Sequence, residues 1–233
     1  MSSSIPGHAA STPGTGPRST PVARVSRGAL TSNARAARAR GIRSFSPEVL
    51  EADAWGHGAA LAREVLAAEG FAVVGNAAAG LPAPEEAALE PAELFGLPPA
   101  SGSPALRLTG TVLSVKDLRR GEGVSYGYAY RAPDDTRVAL VTGGYAQGVV
   151  RALGGAADVV IAGERHPIVG RVAMDVCVVE IGDATVTRGD EVVFLGDPGR
   201  GEPGLAEWVR ATGLAADELV TTVGLRAHRE DAP

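Results

Sequence analysis

From Leu106 onward the chain is a succession of six short β-branched runs: Leu106 to Val115, Val138 to Thr142, Val159 to Ala162, Ile168 to Val172, Val176 to Ile181 and Val192 to Leu195. Gly, Asp and Pro separate them. Strands this short, with turn residues between them and all within a hundred residues, predict a compact, mainly antiparallel β domain. Two helical stretches follow, Gly204 to Gly213 and Ala215 to Thr222, the second with Asp217-Glu218 where acids suit a helix start.

The part ahead of this domain has another character. Residues 1–47 hold seven arginines and no acid, so with a formal net charge of −5 the rest of the chain carries −12. The first twenty residues, mostly Ser, Thr, Pro, Gly and Ala, bury too little apolar surface to offset the entropy of ordering, and residues 1–22 are expected to be a disordered tail. Their Ser- and Arg-rich composition is also that of an organellar transit peptide. Ala23 to Arg38 reads as a strand followed by a helix with a solvated arginine face; no aromatic residues are interleaved with those arginines, which argues against nucleic acid. Leu61, Val65 and Leu66 give an amphipathic helix over Ala59 to Ala68, and Phe71 to Val74 a short buried strand. This βα pattern then stops. Asn76 to Pro104 is rich in Ala, Pro and Glu, with Glu85, Glu86, Glu90 and Glu93 around a short helix, and reads as a linker. The single cysteine, Cys177, excludes an internal disulfide and suits a reducing compartment. The four histidines lack the close spacing of metal ligands, and no run of about 18 apolar residues is present to span a membrane.

Gly121-Glu-Gly-Val-Ser-Tyr-Gly127 sets Tyr126 in a glycine-flanked turn. A tyrosine hydroxyl, with an ordinary pKa near ~10, serves as a base only where its neighbours ease the proton off. Alone, the pattern fits a strand-edge tyrosine better. It does not stand alone, because Gly144-Tyr-Ala-Gln-Gly148 and Pro167-Ile-Val-Gly-Arg-Val-Ala-Met-Asp175 follow at set intervals. In order and spacing these resemble the C-terminal domain of the alanine racemases. Glu51-Ala-Asp-Ala-Trp-Gly-His-Gly58 is similar to that family's cofactor signature Lys-Ala-Asp-Ala-Tyr-Gly-His-Gly, with six identities over eight positions.

The resemblance implies an isomerase that interconverts L- and D-alanine with pyridoxal phosphate, for cell-wall peptidoglycan, as a cytoplasmic homodimer. It assigns Tyr126 the role of the second catalytic base, delivered into the other subunit's barrel opposite the lysine. Met174 and Asp175 match the loop that meets the substrate carboxylate, and Tyr145, Arg151 and Arg171 match residues near the entrance to the site. It also marks departures. Glu51 stands at the position of the lysine that forms the imine with pyridoxal phosphate, and a carboxylate forms none. Trp55 stands at that of a tyrosine that helps hold the cofactor phosphate. Gln147 replaces an aspartate. The one lysine, Lys116, lies elsewhere, on a strand.

The expected architecture is α+β, a mainly antiparallel C-terminal domain of alanine racemase type with an incomplete βα part ahead of it. Its expected divisions are a tail (1–22), a remnant of the cofactor-binding barrel (23–75), a linker (76–103) and the β domain (104–229). The expected function is that of a racemase homologue of weak or no activity, with pyridoxal phosphate binding doubtful. The alternative is a partner-binding β domain that forms a homodimer or joins an intact racemase.

Overall fold

The computed structural model describes residues 20–74 and 87–233, with Tyr126 described by its backbone alone. Most of the expected tail and part of the expected linker therefore lie outside the described residues.

Five of the six expected strands form with small shifts at their ends, while the run from Ile168 to Val172 meets its strand only at Ile168 and Val169. The six strands are β5 (Leu106–Leu118), β8 (Thr136–Thr142), β9 (Asp158–Ile161), β10 (Glu164–Val169), β11 (Val176–Glu180) and β12 (Glu191–Leu195). All pair antiparallel in the order β12-β9-β10-β11-β8-β5, and β12 also pairs with β5, so the sheet closes into a six-stranded barrel. Closure hides the backbone edges that an open sheet would expose. The alternation of side chains across each strand supplies the filling. Val159, Ile161, Ile168, Cys177, Val179, Val192 and Phe194 are all buried in one apolar core. The thiol of Cys177 is pushed up to about 12 by that burial, so it behaves as a small apolar side chain. The run expected to continue to Val172 ends at Val169, because Gly170 turns the backbone at φ 70.

Besides its pairing with β12, the long strand β5 serves two ladders in turn, and Gly110 marks the changeover. Before it, Leu106 to Thr109 pair with β1 (Val22–Ser26); beyond the register shift at Val112/Ser114 the strand follows β8. A Cβ on Gly110 would meet the carbonyl oxygen of Thr142 at 2.3 Å and the Phe194 ring at 2.8 Å, so only glycine lets the strands approach there. The Thr142 hydroxyl accepts the Thr111 N–H at 2.8 Å and so satisfies a donor at the bend.

β1 and the last strand, β13 (His228–Ala232), extend this sheet beyond β5, running parallel to each other from Val22↔His228 to Ser26↔Ala232. The β domain thus takes in a strand from the far end of the sequence. After β1 come α1 (Arg27–Ala39), β2 (Ser44–Phe45), a short element α2 (Glu51–Trp55), α3 (Ala59–Ala68) and β3 (Ala72–Val73). β4 (Ala88–Leu89) and α4 (Pro91–Phe95) complete this part, and β2, flanked by β3 and β4, forms a small parallel sheet. Two C-terminal helices, α5 (Leu205–Thr212) and α6 (Ala216–Arg226), follow the barrel.

α1 begins where the Ser26 hydroxyl accepts the Ala29 N–H, and buries Leu30, Asn33, Ala34 and Ala37, one face at helical spacing. Of its arginines, Arg27 reaches Glu64 at 2.6 Å and Arg35 reaches Glu69 at 3.0 Å, while Arg40, just past its end, reaches Glu93 at 2.8 Å. The basic face is therefore tied to its own chain.

Residues 87–103, within the expected linker, are packed, with Leu89, Leu94 and Phe95 fully buried. Asn33 holds the end of this stretch. Its amide donates to Leu94 O and Ser103 O at 2.9 Å each, and its oxygen accepts the Ser103 N–H at 2.9 Å. Replacing Asn33 by Ala strands these three backbone groups and is expected to cost about 2–3 kcal/mol. Thermal unfolding would show it as a Tm lowered by roughly 5–10 °C, given ~2–4 °C per kcal/mol at this chain length.

Candidate functional site

At one end of the barrel an open depression of about 640 Å³ is lined by Tyr145, Arg151, Arg171, Val172 and Met174 among others. Its walls come from the segment leaving β8 and from the loop between β10 and β11. Three backbone bonds stitch these together: Gly143 N–H to Asp175 O, Tyr145 N–H to Ala173 O and Ala146 N–H to Met174 O, each 3.0 Å. The approach is so close that a Cβ on Gly144 would sit 2.1 Å from Met174 O. Tyr145 and Met174, 29 positions apart in sequence, are thereby brought to one rim.

The Arg151 guanidinium lies 4.1 Å from the centre of the Tyr145 ring, a cation–π contact that fixes one against the other. Arg171 and Met174 are exposed. Gln147 accepts from Gly144 N–H at 3.3 Å and donates to the Asp175 carboxylate at 3.4 Å, which places Asp175 next to the same loop. Two guanidinium groups and a phenol around an open basin make a surface suited to a small anion, since arginine presents a fork of donors to carboxylates. Tyr126 opens the 3₁₀ turn Tyr126–Tyr128, which joins the paired strands β6 (Gly123–Val124) and β7 (Tyr130–Arg131), and Ser125 just before it is hydrogen-bonded to Arg171.

Glu51 and Trp55 are not among the described residues that line this basin. They lie in α2, which winds left-handed: Ala52, Asp53, Ala54 and Trp55 have φ of 46, 56, 56 and 52°. Each L-residue held so costs roughly 1–2 kcal/mol, so other parts of the chain must over-determine the turn. Asp53 accepts the Ala59 N–H at the head of α3 at 2.8 Å and forms an ion pair with Arg229 of β13 at 2.7 Å. Arg229 also donates to Gly56 O at 3.2 Å. Gly56 packs on Gly224 of α6, with a Cβ on Gly224 destined to fall 2.1 Å from Gly56 O.

His57 is fully buried and stacked on Phe95, ring centres 4.1 Å apart. Its Nδ1 lies 3.0 Å from both Ala54 O and Trp55 O, which requires the proton on Nδ1. Burial drives the pKa down to about 4, against the pull of those two carbonyls. Asp53 is held below the usual carboxylate range: burial acts to raise it, but the Ala59 N–H and the Arg229 guanidinium outweigh that.

Because His57 is depressed from 6.5 to about 4, the unfolded chain binds its proton first. Stability is full above about pH 6.5 and is lost as pH falls towards 4, by an amount on the order of 3 kcal/mol. Asp53, also depressed, adds its loss at more acid pH. Melting curves between pH 7.5 and 4 should show the decline. His57→Asn, with a donor but no titrating ring, should flatten it.

These residues do not fit an imine-forming cofactor. Glu51 offers no amine, the one donor of Trp55 is given to Glu48 O at 3.1 Å, and Lys116 is an exposed residue of β5. The sequence alone does not single out Ser125, Gly224 or Arg229. Gly224 lies just past the helical stretch expected to end at Thr222, where a glycine reads as a helix end and not as a packing site.

The model of the family described as "Alanine racemase, C-terminal domain" matches residues 105–231. The chain is 43% identical over 141 residues to an alanine racemase of Thermobifida fusca, an overlap that takes in 58% of this chain and 38% of that protein. It thus spans well under half the length of the curated relatives it matches. Among solved structures, alanine racemase from Streptomyces lavendulae superposes with a TM-score of 0.78 at 20% identity, covering 92% of this chain and 97% of that one. One from Bartonella henselae with covalently bound pyridoxal phosphate gives 0.73 at 16%, covering 91% and 99%. The β barrel, the rim it builds from Tyr145 to Asp175 and the matched residues agree: the chain belongs to the family of the alanine racemase C-terminal domain.

Proposed function

We propose that this chain is an alanine racemase homologue that does not turn over alanine by itself and that serves as a partner subunit. Its β domain completes the site of a barrel belonging to another molecule. In this reading residues 23–75 are what remains of the cofactor-binding part, and pyridoxal phosphate and alanine are held by the partner. Tyr126 is then the base delivered into that site. Tyr145, Arg151 and Arg171 guide the substrate at its mouth, and Met174 and Asp175 meet its carboxylate. The complex works in the cytoplasm, where it contributes D-alanine for peptidoglycan.

The observation that carries this reading is the open basin. Its rim is assembled from backbone bonds within the β domain and presents two arginines, while Glu51 and Trp55 lie outside it. Met174, which lines it, is 54% exposed, and Tyr128, in the turn whose Ser125 is bonded to Arg171, is 65% exposed, large groups of the kind a contact surface requires. A homodimer through the same face is the second reading, supported by the same exposure.

Co-expression with an intact racemase whose own base tyrosine is replaced by Phe tests the proposal. A mixed complex should appear in size exclusion with light scattering. Its racemisation rate should exceed that of the Phe variant alone by at least ~10-fold, the low end of what a positioned acid–base group contributes. Tyr126→Phe in this chain should remove the gain. A chain that stays monomeric, or never co-elutes at micromolar concentration, would sink it.

A further inference from the structure

We infer that Ser125 is a positioning residue that locks the turn carrying Tyr126 to the backbone of Arg171. Ser125 sits at φ 70, ψ 165, a region that is essentially glycine's alone. Something must hold a residue with a side chain there, and the hydroxyl does so. It accepts the Arg171 N–H at 2.7 Å and donates to Arg171 O at 2.8 Å, a two-point bridge across 46 residues of sequence.

Both flanks of the bridge are fitted to it. A Cβ on Gly170 would lie 2.4 Å from Ser125 Cβ, so position 170 has to be glycine. At the other end of the turn the Tyr128 N–H returns to Ser125 O at 3.1 Å. The Tyr128 ring covers Gly123, where a Cβ would come within 2.5 Å of it, and lies 5.7 Å from the Arg131 guanidinium. Ser125 and Tyr128 are therefore both anchored, with only Tyr126 and Gly127 between them. One hydroxyl sets the placement of that pair relative to Arg171, and its effect on turnover rests on the partner-subunit reading above.

The test labels the full chain with 3-fluorotyrosine at its four tyrosines and assigns Tyr126 by the line lost in Tyr126→Phe. Ser125→Gly removes the bridge but relieves the backbone strain, so the fold is spared. The Tyr126 fluorine line is expected to move to the position it has in unfolded chain, while Tyr130 and Tyr145 stay in place. An unmoved Tyr126 line, or equal movement of all four, overturns the inference. In the mixed complex the same variant should lower kcat by roughly 10- to 100-fold, as small misplacements of a reacting group do, with KM for alanine kept within about twofold. A raised KM at unchanged kcat also overturns it. If the unmodified chain gives no mixed-site turnover, the partner-subunit reading fails, and the fluorine spectrum still decides the role of Ser125.

Discussion

Purified alone, the chain should form D-alanine at least ~100-fold more slowly than an intact racemase, because the residue on which covalent catalysis depends is absent. Glu51→Lys should not restore the rate. The new amine would stand at the head of a left-handed turn whose Asp53 is committed to Arg229 and whose Trp55 donates to Glu48, and Glu51 is not among the described residues that line the basin. Incubation with pyridoxal phosphate followed by borohydride should label the native chain at no lysine other than the exposed Lys116, since no other exists. A D-alanine assay settles the rate. Turnover within about a hundredfold of an intact enzyme, abolished by Tyr126→Phe, would mean that this chain holds a complete site by another route.

Gly224→Ala should be the most damaging conservative substitution outside the basin. Alanine in a helix is ordinarily the better residue by ~1 kcal/mol. Here the added methyl would fall 2.1 Å from Gly56 O and 2.5 Å from Gly56 Cα, both backbone atoms with no rotamer to yield. Gly56 cannot retreat, since its carbonyl is held by Arg229 and its φ of 76 is already left-handed. Overpacking of this kind costs about 1–3 kcal/mol or more, so the sign of the usual preference reverses. A melting temperature lower by roughly 5–10 °C is expected on that scale. Gly28→Ala is the contrast: at Gly28, within α1, a Cβ meets nothing nearer than 3.5 Å. It should stabilise by about 0.5–1 kcal/mol through the unfolded chain. Equal melting temperatures for the two variants would show that α6 can slide away from the turn.

The barrel strands were legible because closure makes each of them alternate, and β-branched residues bounded by Gly and Asp leave that mark within a few residues. β13 left none: His-Arg-Glu-Asp-Ala is polar throughout and becomes a strand only because β1 offers it a ladder. The left-handed turn was hidden for a related reason. Nothing in Ala-Asp-Ala-Trp asks for positive φ; the demand comes from Arg229, Gly224 and Phe95, all distant in sequence. Composition misled at 87–103, where Pro and Glu suggest a linker but Leu89, Leu94 and Phe95 are core. For the basin, resemblance named Tyr145, Arg151, Arg171 and Met174, while their convergence rests on the backbone bonds between 143–146 and 173–175 that no local pattern announces.

The pairing of β1 with β13 sets a timetable for the chain as it is made. β13 is made after β1, and more than two hundred residues separate a strand from its parallel neighbour. Until residues 228–232 emerge, β1 has only β5 beside it, and its other edge is an open row of donors and acceptors. At roughly 5–20 residues per second the edge stays open for many seconds, long enough to recruit a chaperone or another strand. The emergence of β13, and not the completion of the barrel, is therefore the moment at which this sheet can first be whole. A fragment begun at the family match, residue 105, would never reach that moment, because it lacks the strand that seats residues 228–232.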